Sequence, residues 1–201
     1  MKKWMIGFIL FFCISCNKSE PMLNKLPEDA LILAFGDSLT YGTGATKDHD
    51  YPYILSELTG REVINAGVPG EISSEGRQRL PELLDEYEPD LLILIHGGND
   101  FLRKIPADQL RENLKAMLAE AKQRNIPVVL IGVPELGLIL LHSAEIYSEI
   151  AEAEHVPVDL EVLPDILSSN ALKSDMVHPN DQGYQQLAQS IANLLKQQGA
   201  L

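Results

Sequence analysis

Pro89-Asp90-Leu91-Leu92-Ile93-Leu94-Ile95-His96-Gly97-Gly98 places five consecutive aliphatic residues between a proline opening and a double-glycine stop. A strand with one wet face alternates apolar and polar residues, whereas an unbroken run of this length fits a strand covered on both faces. Leu31-Ile32-Leu33-Ala34-Phe35, closed by Gly36, has the same character, and so does Val128-Val129-Leu130-Ile131, ended by Gly132 and Pro134. Val63-Ile64-Asn65-Ala66, ended by Gly67 and the Pro69-Gly70 turn, and Val156-Pro157-Val158 are weaker strand candidates.

Helical patterns fill the intervals. Leu110, Leu114, Met117, Leu118 and Ala121 form one apolar stripe, and Tyr184, Leu187, Ala188, Ile191, Leu194 and Leu195 form another. The segments near Tyr53–Thr59, Ile72–Glu86 and Ser143–Glu154 carry fainter helical patterns. Strand and helix in alternation predict an α/β fold, a three-layer α/β/α sandwich with a mainly parallel five-stranded sheet. Ligands of such sheets sit beyond the carboxyl ends of the strands. Attention therefore falls on Asp37-Ser38, Gly67, Gly97 to Asp100 and Pro134-Glu135.

The chain has 201 residues, enough for one domain with a sizeable core. Its formal net charge of −13 argues against a nucleic-acid partner, which demands a basic surface. Lys2 and Lys3 precede an uncharged apolar run from Trp4 to Ile14, then Ser15-Cys16, the order of an export signal too short for an ordinary membrane span. Cys13 and Cys16 are the only cysteines, and they lie at the end of this run, where a redox or zinc pair is out of place. The segment resembles a bacterial lipoprotein processing site with Cys16 as the lipidated residue, although Cys13 stands where that signal usually has Leu. The expected organisation is a signal over 1–16, a polar tether over 17–29 and a folded domain over 30–201. The expected location is the periplasm or cell envelope, with plain secretion as the second choice, and the only expected membrane contact is the lipid anchor.

Ser38 follows a buried strand at a turn, where a hydroxyl is exposed and backbone N–H groups face a developing oxyanion. Asp37 and Ser38 are equally common as helix caps, and locally that reading is favoured. Asp175-Met176-Val177-His178-Pro179-Asn180 sets a carboxylate and an imidazole three residues apart, close enough for the acid to fix the ring's tautomer. A surface loop with Asn180 as helix cap is the competing reading. Gly97-Gly98-Asn99-Asp100 offers close backbone approach and an uncharged amide donor at Asn99, and Gly67 offers a backbone N–H. No metal-ligand spacing appears, and no cofactor is expected. The G-x-S-x-G elbow is broken by Thr40.

Together, Gly36-Asp37-Ser38-Leu39, Asn65-Ala66-Gly67, Gly97-Gly98-Asn99-Asp100 and Asp175-x-x-His178-Pro179 resemble the GDSL, or SGNH, hydrolases. Gly76–Leu84 and Phe101-Leu102-Arg103 look most like the arylesterase, lysophospholipase and acyl-CoA thioesterase branch. The resemblance implies Ser38 as nucleophile, His178 as base and Asp175 as its orienter, on a flavodoxin-like sheet. It implies an oxyanion hole of the Ser38 and Gly67 N–H groups with the Asn99 amide, and structural roles for Asp37 and Asp100. The implied partner is a small acyl ester or thioester, handled by a monomer. A carbohydrate O-acetylesterase and a non-catalytic exported binding protein are the alternatives. Met176 stands where relatives often have Gly. His96 lies outside the motif and reads as a packed strand-end residue. Gly132–Leu141 suits either an acyl pocket or ordinary core.

Overall fold

The computed structural model describes residues 22–135 and 142–201. The signal region, Cys16, tether residues 17–21 and residues 136–141 of the Gly132–Leu141 stretch lie outside the described residues.

The strands are β1 (Leu31–Gly36), β2 (Glu62–Gly67), β3 (Leu91–Ile95), β4 (Val128–Ile131) and β5 (Val158–Asp159). Every pairing is parallel, in the order β2-β1-β3-β4-β5. The longer helices are α2 (Tyr51–Thr59), α3 (Ser73–Tyr87), α5 (Ala107–Gln123), α6 (Glu145–Glu154) and α8 (Asp181–Gln197). Between them lie α1 (Ser38–Tyr41), α4 (Gly98–Leu102) and α7 (Val162–Ser168). Helix α2 packs on α8, and α3 packs on α5. This is the expected three-layer sandwich.

Burial explains the strength of each strand's signal. All of β3 and β4, and β1 beyond Leu31, are buried, and those strands are continuous apolar runs. β2 is an edge strand and only half-buried, so its pattern is mixed. The fifth strand starts two residues later than Val156-Pro157-Val158 and keeps only Val158 of it. Pro157 still contributes its carbonyl, which accepts from Leu130 N at 2.9 Å. The apolar stripe of α8 (Tyr184, Leu187, Ala188, Ile191 and Leu195) is buried, and Asn180 caps that helix by accepting from Gly183 N.

Residues 22–29 differ from the tether expected of them. Leu23 N and Leu26 N donate to Gln198 O and Ala200 O at 3.1 and 2.9 Å, and Arg61 donates to the carbonyls of Leu26 and Pro27. Leu26 is buried in the core. The physical reason is the pair Leu23 and Leu26, apolar residues that gain more by packing than by solvation.

Candidate functional site

In this strand order the connection leaving β1 turns one way and the one entering β3 the other, which opens a crevice beyond their carboxyl ends. β1 ends there on Gly36, where a Cβ would overlap the Ile95 carbonyl and the Thr40 hydroxyl. The buried Asp37 accepts from Leu39 N at 3.0 Å and caps α1, while Ser38 opens that helix. Asp37 fills the capping role, and Ser38, half-buried beside it, lines the crevice.

Ser38 Oγ lies 2.9 Å from His178 Nε2, and His178 Nδ1 lies 2.8 Å from Asp175 Oδ2. The other oxygen, Asp175 Oδ1, accepts from Val177 N and His178 N, each at 2.8 Å. This loop is pinned by Ser174 N donating to His178 O and Asn180 N donating to Leu172 O, both at 2.9 Å. Burial would raise the Asp175 carboxyl, but the His178 ring and the two backbone donors outweigh it and hold it below the usual carboxylate value. An ionised Asp175 can only accept, so the ring proton sits on Nδ1 and Nε2 is free to accept from Ser38. Met176 is 77% exposed, and the Asp175–His178 contacts hold with a side chain at that position.

Asn99, in α4, faces the same crevice. Its Nδ2 donates to Glu71 O at 3.0 Å and to Asp37 Oδ2 at 3.3 Å. Gly67, expected in the oxyanion hole, is elsewhere. Its N–H donates to Asn65 Oδ1 at 3.0 Å, and its Cα packs against the backbone of Thr40 and Tyr41. β2 runs through Gly67, so the glycine belongs to the edge strand rather than to the turn after it. Gly70 is the glycine on the crevice wall: it sits at φ +81° in the turn closed by Glu71 N donating to Val68 O at 3.2 Å, and it lines the crevice. Pro69 followed by a left-handed Gly70 is the signature of a type II turn. Neither Ser38 N nor Gly70 N has a hydrogen-bond acceptor among the described residues.

The crevice opens into a cavity of about 430 Å³. Apolar groups from Leu39, Phe101, Leu102, Val133, Leu167 and Val177 dominate its walls, with Lys104 and Glu135 also on its lining. Val133 and Pro134 bring part of the Gly132–Leu141 stretch to this wall. Asp100 is buried and accepts from Ser73 N and Ser73 Oγ, so it ties α4 to the start of α3. Among the described residues, no cluster of three or more His, Cys, Asp or Glu side chains is placed to hold a metal ion.

His96 is fully buried beside Phe35, with Nε2 3.2 Å from Glu71 Oε2. Glu71 also receives Arg79 Nε and Nη2 at 2.8 and 2.7 Å. Burial opposes ionisation of Glu71, but hydrogen bonds from Arg79 and His96 and the charge of Arg79 bring it down to about 2. A value depressed in the folded state stabilises the fold above the ordinary pKa of 4.5, and that stability is lost as pH falls through about 2. The full effect is about 3 kcal/mol. Urea titrations of the wild type and Glu71→Gln should therefore diverge as pH rises from about 2 to about 5 and run parallel above that. A constant gap across that window would mean the carboxylate is not stabilised as described.

A parallel α/β/α domain with a serine, an imidazole and a carboxylate in series at its strand ends has the form of a hydrolase acting on ester bonds. Residues 34–186 match the GDSL-like Lipase/Acylhydrolase family, and the chain belongs to that family. It is similar to an arylesterase of Vibrio mimicus, 28% identical over 201 residues, covering 95% of this chain and 96% of that protein. It is also similar to Thioesterase 1/protease 1/lysophospholipase L1 of Escherichia coli (strain K12), 28% identical over 156 residues, 74% of this chain and 75% of that protein. Among solved structures, AlinE4, an SGNH-hydrolase family esterase, superposes with a TM-score of 0.66 at 32% identity, covering 86% of this chain and 97% of that one.

Proposed function

We propose that the chain hydrolyses carboxylic esters and thioesters of apolar acyl groups through an acyl-enzyme on Ser38. The observation that carries this reading is the continuous series Asp175 Oδ2–His178 Nδ1 and His178 Nε2–Ser38 Oγ, at 2.8 and 2.9 Å. His178 Nε2 takes the Ser38 proton as Oγ attacks the acyl carbon, and Asp175 stabilises the imidazolium that forms. The same proton passes to the departing alkoxide or thiolate. Water, deprotonated by His178, then attacks the acyl-enzyme and releases the acid.

The oxygen that gains charge is met by Ser38 N–H, Gly70 N–H and the Asn99 amide. One Asn99 hydrogen stays on Glu71 O, and the other leaves its longer contact with Asp37 for the oxyanion. Asn99→Ala is expected to lower kcat roughly 10²- to 10³-fold with little change in KM, because this donor serves the transition state more than the bound ester. A rise in KM with kcat unchanged would assign Asn99 to ground-state binding instead.

The apolar walls of the cavity support an acyl rather than a sugar group as the buried part of the substrate. A series of nitrophenyl esters of increasing acyl length tests this. Rising kcat/KM from acetate to longer chains is expected, and a maximum at acetate would favour an O-acetylesterase. Export with lipidation at Cys16 is part of the same proposal, supported by the basic and apolar order of residues 2–14. Among the described residues no helix is long and apolar enough to cross a membrane. Cys16→Ser should move the protein from the membrane fraction to the soluble one, and membrane retention would refute the anchor.

A further inference from the structure

We propose that Glu71, clamped by Arg79, is the positioning residue of the oxyanion site, setting both the Asn99 amide and the Gly70 peptide. This rests on the oxyanion reading above and goes beyond it, because neither charged residue touches the reacting atoms.

The turn from Val68 to Glu71 leaves an edge strand, and Val68 is 39% exposed. Only one side of that strand is paired, so the sheet alone holds the turn loosely. Two arginines supply further anchors. Arg103 Nη2 donates to Gly70 O at 2.7 Å from the outer side. On the inner side the Glu71 carboxylate receives both Arg79 donors in the paired geometry that fixes a carboxylate's orientation as well as its position. Arg79 Nη2 also donates to Ala66 O at 3.0 Å, so one guanidinium ties the end of β2 to the far end of the turn. The guanidinium lies 4.2 Å from the ring centre of Phe35, which belongs to β1 and is fully buried. His96 at the end of β3 meets the same carboxylate from below.

The link to the reacting centre is the backbone of Glu71. Its carbonyl accepts from Asn99 Nδ2 at 3.0 Å, the shorter of that amide's two contacts. The residue before it is Gly70, which lines the crevice and whose N–H has no acceptor among the described residues. A shift of Glu71 therefore moves two oxyanion donors at once, and a displacement of about 1 Å near a reacting centre is worth up to about 10²-fold in rate.

Stability alone is a poor reason for this cluster. Ionisation of Glu71 stabilises the fold relative to its protonated form, yet such an ion pair is often no more stabilising than apolar residues in its place, and His96 Nδ1 is buried without a partner among the described residues. An apolar cluster of the same volume would hold the helix and sheet together as well.

The test is a double-mutant cycle. Glu71→Gln and Arg79→Met are each expected to lower kcat for a nitrophenyl ester roughly 10- to 100-fold, with KM within about twofold of the wild type. In the Asn99→Ala background the same changes should have a clearly smaller effect, because one of the two donors they position is gone. Glu71→Gln preserves shape and keeps the cycle usable if Arg79→Met fails to fold. Losses that simply multiply with that of Asn99→Ala, or that appear in KM with kcat intact, would overturn the positioning role while leaving the oxyanion reading in place. An Asn99→Ala protein with wild-type kcat would overturn both.

Discussion

Ser38→Ala is expected to reduce kcat for nitrophenyl acyl esters by on the order of 10⁶-fold, leaving only what the oxyanion donors and the cavity provide. The magnitude follows from the geometry. Among the described residues, Ser38 Oγ is the only hydroxyl in hydrogen-bond contact with His178 Nε2, at 2.9 Å. His178→Ala should cost about as much, since an unactivated hydroxyl is a weak nucleophile. The double variant should be scarcely worse than either single one, because the two groups act as a unit. Folding should be unaffected by the serine change: α1 keeps its Asp37 cap, and the Ser38 side chain makes no contact that the core depends on.

The second large effect is at Asp175. Asp175→Asn is expected to lower kcat/KM by up to about 10⁴-fold with the fold intact. Oδ1 receives two backbone N–H groups, from Val177 and His178, and only an oxygen can accept them. An asparagine must therefore put its carbonyl there and turn its NH₂ toward His178 Nδ1. The ring responds by carrying its proton on Nε2, the atom that has to accept from Ser38. The loss should appear in kcat across the pH range, without a compensating change in KM. A loss of less than about tenfold would mean that another group orients His178.

The fold was legible because its central strands are buried on both faces. The runs at Leu31–Phe35, Leu91–Ile95 and Val128–Ile131 leave no polar residue to compete with a strand assignment. The short helices α4 and α7 were not, since five and seven residues are too few to display a helical period. Of the site, Ser38, Asp175, His178 and Asn99 were each marked by type and by position after a strand or before a helix. The structure brings Ser38, His178 and Asn99 to one crevice, with Asp175 behind the His178 ring.

Gly67 was misplaced for a physical reason. A glycine after an apolar run signals the end of a strand, but at a half-exposed edge the pairing continues through it to match Gly36. The turn lies three residues on, where Pro69-Gly70 had been visible only as punctuation. Glu71 and Arg79 gave no signal at all. They are eight residues apart on either side of a helix start, and nothing local distinguishes a buried carboxylate–guanidinium pair from two solvated charges. His96 was rightly read as a packed residue, and its partner Glu71 could be found only in three dimensions. The docking of residues 22–29 is hidden in the sequence because charged residues, asparagine and proline dominate residues 17–29, while the two leucines that dock are isolated in that stretch.

Whether Ser38 carries the acyl group is measured directly by rapid quenching of the protein during turnover of a nitrophenyl ester, followed by peptide mass analysis. The expected result is one acyl increment on the peptide containing Ser38, absent in Ser38→Ala. Sustained turnover with the increment on another residue, or with no increment under conditions where deacylation limits the rate, would contradict it.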